Sequence, residues 1–169
     1  MPSLYILLLA GSILTAHRVT AVDRAVDPEL NTRLRLSPTD LDRSELLLSL
    51  DDSGKNWLFD FHAHEFFTSS PGGVINANAA TFPAMTGHGM TMAYILLGPC
   101  AMLPPHFHPR ATNLVVAVEG ETEAVMLQEN GAKIVRTELN RGKMTLFPRG
   151  SIHSMQNNGE YARHPSLRT

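Results

Sequence analysis

Three histidines hold the chemistry open to this chain. His106 and His108 stand one residue apart in "PPHFHPRATN", residues 104–113, and His153 follows in "FPRGSIHSMQ". Neutral imidazole is a good donor to divalent first-row metals, and side chains on alternate residues of an extended strand share one face. A strand bringing His153 back beside the first pair would place three imidazoles in one pocket. Such a pocket binds a divalent ion and, with a coordination position left open, a substrate upon it. A lone histidine is more often a surface or satisfied core residue, so the pairing must carry the inference.

The chain contains its own comparison. "FDFHAHEFF" also holds a His-x-His pair, at His62 and His64, followed by Glu65. Alternation there puts Phe59 and Phe61 on one face and Asp60, His62 and His64 on the other. That is the pattern of a half-buried strand with a wet polar face, so this pair is read as structural. His88 in "TGHGM" and His164 in "ARHPS" fall in turn-like settings, and His17 leaves with the N-terminal leader or sits at the new terminus.

The elements that would position the first three histidines are short strands. From Trp57 onward the chain is cut repeatedly by Gly, Pro and Asn. Strands are expected at 57–61, 73–76, 90–97, 113–119, 122–128, 132–138, 144–147 and 152–156, with turns at 119–121, 129–131, 140–143 and 148–151. This spacing predicts an all-β sandwich or barrel. Two helices should precede it. "DPELNTRLRL" offers Asp27 as N-cap with Pro28 at the first helical position, and "SPTDLDRSELLLSL" repeats the device with Ser37 and Pro38.

Three segments result: a secretory signal peptide over 1–21, a helical arm over 22–56 and a β domain over 57–169. The signal reading rests on the apolar run Leu4–Leu9 and the small residues after it, with cleavage after Ala21 or Ala16. The 169 residues suffice for one domain with a real core. A net charge of −2 and a pI near 6.4 leave no basic field for nucleic acid or anionic lipid. Cys100 is alone, so no intramolecular disulfide can form, and its apolar setting "LLGPCAML" predicts a buried, inert thiol. There is no Asn-x-Ser/Thr sequon.

"PHFHPRATN" followed by "GKMTLFPRGSIHSMQN" resembles the two motifs of germins and germin-like cupins, in particular the fungal and slime-mould spherulin type. "LRLSPTDLDR", "NAATFPAMTGHGM", "LGPC" and "QENGA" support the likeness, which runs from Asp27 to Asn157. The second motif is complete, with Gly142, Pro148, Gly150, His153 and Asn157. The resemblance implies a cupin jelly roll, a double-stranded β-helix barrel. It also implies a manganese ion held by three His and one Glu, an extracellular or cell-wall setting, and homo-oligomers.

Carried over residue by residue, the metal ligands are His106, His108, His153 and, where the family has Glu, Asn113. The Gly expected six residues before His106 is Cys100. After Asn157 twelve residues remain, where the family continues with further strands and a helical segment used in oligomer contacts, so the barrel is expected to be shortened there. An amide oxygen can coordinate but brings no charge, which disfavours Mn²⁺ and moves preference toward Zn²⁺ or Cu²⁺.

Two functions follow. The first is a secreted metal-binding cupin with weakened or no catalysis; the second is a manganese-dependent oxidoreductase of the oxalate oxidase or superoxide dismutase type. Asn113 favours the first, and the intact second motif sustains the second. A carbohydrate-binding jelly roll lacks the exposed aromatics it would need, Trp57 being the chain's one Trp.

Overall fold

The computed structural model describes residues 23–64 and 72–158. The expected leader, Glu65 and His164 lie outside the described residues.

The helical arm forms as capping chemistry dictates, with one correction. Helix α1, Pro28–Leu36, starts where Asp27 accepts a hydrogen bond from the Leu30 amide at 2.8 Å, with Pro28 in the first turn. Helix α2, Asp40–Leu50, is capped by Thr39 rather than Ser37. The Asp42 amide donates to the Thr39 hydroxyl at 3.1 Å, and the Thr39 amide donates to the Asp42 carboxylate at 2.9 Å. This reciprocal box satisfies two otherwise orphaned donors. Ser37 instead ends α1, its amide and hydroxyl both donating to the Arg33 carbonyl. Leu34 and Leu47 bury their side chains together with Ala84, against Leu30, Leu46 and Phe82.

The strand expected at 57–61 does not form. Two short 3-10 turns, Lys55–Trp57 and Phe61–Ala63, occupy that region. Asp60 accepts from the His62 amide at 2.8 Å, and this local bond competes with strand pairing. Phe59 packs on Phe82 and Phe61 on Tyr94, with ring centroids 5.4 Å and 5.9 Å apart, and both are half-buried while Asp60, His62 and His64 are exposed, so the expected two faces persist without a strand.

Among the described residues eight strands follow: β1 Gly72–Ala77, β2 Met92–Leu97, β3 Met102–His106, β4 Asn113–Val116, β5 Glu121–Leu127, β6 Val135–Asn140, β7 Met144–Phe147 and β8 Ile152–Gln156. All pairings are antiparallel. β1 pairs β2, β4 pairs β7, and the remaining four run in the order β3-β8-β5-β6. β6 begins later than expected, since the turn after β5 continues to Ala132, whose amide closes on the Glu129 carbonyl. β3 was not expected, because "MLPPH" contains two prolines. Among the described residues it is an edge strand, with β8 on one side only, which tolerates them.

The three sheets share one core. Ala124, Leu139, Phe147 and Met155 are its buried centre, with Ile95, Leu97, Leu103, Val115, Ala117 and Met126 packed around them. This β-rich architecture with a helical arm is the expected jelly roll. On its outer side the β4–β7 pair carries an exposed apolar stripe, with Leu114 opposite Leu146 and Val116 opposite Met144.

Cys100 is exposed, not buried, and adopts φ +60°. Its amide donates to the Asn157 carbonyl at 3.1 Å in the turn between β2 and β3. A left-handed backbone is where glycine is favoured, which accounts for the Gly of the spherulin-type pattern at this position.

Candidate metal centre

The β3–β8 ladder brings two of the histidines face to face. Met102 pairs with Gln156 and Leu103 with Met155, then the register shifts and His106 pairs with His153. In an unbroken ladder Pro105 would lie opposite His153; the extra residue of the bulge puts His106 there instead. Re-aiming a side chain at a site is a common use of bulges. The Pro104 carbonyl, turned at this irregularity, accepts from His106 Nδ1 at 2.8 Å.

His108 lies beyond the end of β3, so it is not held by the ladder that holds His106. Its backbone carbonyl accepts from the Gly150 amide at 2.9 Å. Gly150 has φ +80°, a conformation suited to glycine, and the Ser151 amide closes the same turn on the Pro148 carbonyl at 3.0 Å. Across the same gap the Arg149 amide donates to the Thr112 hydroxyl at 3.3 Å. The Pro-x-Gly turn before β8 therefore anchors the loop that carries His108.

The three imidazoles converge. One donor nitrogen from each of His106, His108 and His153 lies within 4.8 Å of the others, and among the described residues this is the cluster able to hold a metal ion. Ring centroids are 4.4 Å apart for His106 and His153, 5.1 Å for His106 and His108, and 5.3 Å for His108 and His153. The tautomers follow from the hydrogen bonds. Carbonyl oxygens only accept, so Nδ1 is the protonated nitrogen in His106 and in His153, which bonds the Ser151 carbonyl at 3.0 Å. Nε2 is left with its lone pair on both rings, the arrangement usual for metal-binding histidines.

The surroundings disfavour protonation of His108 and His153. Burial, then the neighbouring His106, pushes His108 below the ordinary histidine range. For His153, burial is again the main cause, with His106 and His108 adding to it against the opposing pull of the Ser151 carbonyl. His153 is only 4% exposed, and Phe147 stacks on it with centroids 4.1 Å apart and planes 12° from parallel.

A cavity of about 130 Å³ adjoins the cluster. Its walls come from all three sheets and include Val74, Ile95, Leu103, Val115, Phe147 and Met155, besides the three histidines and Asn113. Asn113, the first residue of β4, pairs with Phe147. All four sequence-predicted site residues thus border one cavity. Phe147 and the carbonyls of Pro104 and Ser151 were not foreseen. Pro148 and Gly150 flag the turn, but nothing in residue type marks a carbonyl that orients a ring.

His62 and His64 stand apart from this cluster. His64 stacks on Phe59 with centroids 4.6 Å apart, and His62 meets Tyr94 edge-on at 5.8 Å. Both are exposed, and they lie in and just after a turn, not on a strand.

Comparison with known proteins agrees with this geometry. Residues 61–163 match the family profile described as Cupin. The chain is 37% identical to Spherulin-1A of Physarum polycephalum over 131 residues, 76% of this chain and 51% of that protein. It is 33% identical to Germin-like protein 9-1 of Oryza sativa subsp. japonica over 164 residues, 93% of this chain and 59% of that one. The chain thus spans about half the length of the curated relatives it matches. Among solved structures, an oxalate oxidase superposes with a TM-score of 0.58 at 26% identity, covering 66% of this chain and 57% of that one.

Proposed function

The chain belongs to the cupin family, as a germin-like member of the spherulin type, and from that premise we propose that it is a secreted protein binding a divalent metal, with manganese the family's ion, and with weakened or no catalysis. One observation supports this above the others: three imidazoles present donor atoms within 4.8 Å of one another beside a cavity. The donor chemistry fits a first-row divalent ion. His106, His108 and His153 would hold it, with Asn113 at the position where a carboxylate would complete the set.

Catalysis is proposed to be weak because of Asn113. A missing ligand charge at bonding distance lowers metal affinity by about 10²- to 10⁴-fold even at an effective dielectric near 20. The amide also gives a higher oxidation state less support, which redox chemistry at manganese would require. Zn²⁺ or Cu²⁺ are the alternative ions, since both favour nitrogen donors. The second reading, an oxidoreductase of the oxalate oxidase or superoxide dismutase type, draws on the likeness to oxalate oxidase structures. Export is supported by the apolar run Leu4–Leu9 followed by small residues.

The test is metal content by inductively coupled plasma mass spectrometry of protein collected from the growth medium and purified without chelators or a His tag. About one divalent ion per chain, with negligible oxalate oxidation or superoxide dismutation, is the expected result. Metal-free protein that fails to reload would overturn the binding reading, and substantial turnover with manganese would favour the second. Retention inside the cell would overturn export.

A further inference from the structure

We infer that Asn113 makes this a metal site completed by a small exogenous monoanion, so that metal and anion bind cooperatively. The inference rests on the three-His reading above and adds a ligand to it.

The first ground is charge. His106 and His153 direct Nδ1 at carbonyls and Asn113 lines the cavity, so the available donors are imidazoles and an amide, none of which brings a negative charge. Among the described residues no carboxylate joins the cluster of possible ligand atoms. A divalent ion here would keep its full charge beside Val74, Ile95, Leu103, Val115, Phe147 and Met155. An uncompensated charge in apolar surroundings is costly, and an anion bound to the ion removes most of that cost.

The second ground is room. The cavity of about 130 Å³ adjoins the three imidazoles. At about 30 Å³ for each water in the liquid, that space takes chloride, formate or acetate. The third ground is the amide itself. Where a carboxylate would repel a second anion, the NH₂ group of Asn113 can donate a hydrogen bond to it, and hydrogen bonds to ions are among the strong ones. Asn in place of Glu thus exchanges a built-in charge for a cavity-lining group that is able to donate.

The experiment titrates the full-length, metal-free protein with Co²⁺, whose visible spectrum reports its ligands. Ionic strength is held with perchlorate, and chloride, formate or acetate is added in separate arms. Co²⁺ affinity should rise about 5- to 150-fold with saturating anion, the usual range for coupled sites, with a change in the Co²⁺ spectrum. Complexation of free Co²⁺ by the anion acts in the opposite direction, so it cannot imitate the rise. A response to chloride alone or to the carboxylates alone supports the inference and identifies the source. Asn113→Glu should bind Co²⁺ more tightly in perchlorate and lose the anion effect. If wild-type protein binds Co²⁺ equally with and without anion, the inference is overturned while the metal site stands. If Co²⁺ does not bind under any condition, the three-His reading falls with it.

Discussion

His106 lies directly opposite His153 on neighbouring antiparallel strands, their ring centroids 4.4 Å apart, although an unbroken ladder would put Pro105 in that place. The pair is a product of the bulge, and each ring is fixed by a backbone carbonyl of its own strand or the turn just before it. Main-chain geometry thus orients both rings, and the Phe147 stack adds to it for His153.

If these rings are ligands, losing one should cost more than losing an orienting partner, which is worth about 10- to 100-fold in metal affinity. His106→Ala is expected to lower Zn²⁺ or Mn²⁺ affinity by more than about 100-fold while leaving the far-ultraviolet circular dichroism unchanged. Isothermal titration on the full chain reads the affinity. His62→Ala, outside the cluster, should leave it within a factor of two.

Asn113→Glu should trade stability for affinity. Without metal, the new carboxylate borders a largely apolar cavity, and an unpaired polar group there costs about 1–3 kcal/mol. Metal-free protein should melt at a lower temperature than wild type. With excess Mn²⁺ the order should reverse, because a ligand that binds only the folded state stabilises it in proportion to the logarithm of its concentration over Kd. Differential scanning calorimetry with and without Mn²⁺ gives both readings.

Acid should weaken the metal-free fold through His108 and His153. Burial, ahead of the neighbouring imidazoles, depresses both below their ordinary value of 6.5. Between that value and the lower folded ones, the unfolded chain binds more protons, so stability falls as pH falls. Melting temperature should be level above about pH 7, drop as pH passes below 6.5, and level again once the folded rings are protonated. His153→Gln should remove part of the slope, as measured by thermal melts across pH.

Cys100→Gly should stabilise the protein. The left-handed backbone at Cys100 (φ +60°) costs an L-residue about 1–2 kcal/mol, and glycine returns about 0.5–1 of that as extra unfolded-state entropy. A gain of up to about 1 kcal/mol in urea unfolding is expected. Because the residue is exposed, no core packing is lost.

Much of the fold could be read before the coordinates, and the exceptions have physical causes. Asp27 and Pro28 announced α1 correctly because the capping bond is local. Ser37 misled because serine can cap forward or close backward, and only the geometry of the Arg33 carbonyl decides. The strand expected from Trp57 to Phe61 failed because Asp60 satisfied a nearby amide, and Phe59 and Phe61 pack on Phe82 and Tyr94 without a ladder. β3 was missed because two prolines end most strands, and whether a strand lies at an edge depends on the whole sheet. The gathering of His106, His108, Asn113 and His153 around one cavity was legible from motif and spacing. The stack of Phe147 on His153 was not, since it depends on how β7 meets β8 across the core.

The pairing of β3 with β8 also says something about the order of assembly. β5 and β6 are sequence neighbours joined by a short turn, so they can find each other early; β3 and β8 are separated by the β4–β7 segment and must close a long loop. Contacts of that kind form late and bear most of the loop-closure entropy. The two histidines that face each other stand on this last seam, and His108 lies just beyond it. An ion bridging them would act as a clasp on the step that finishes the domain. Metal supply would then govern how much of the newly made chain completes its fold, and not only what the finished protein does.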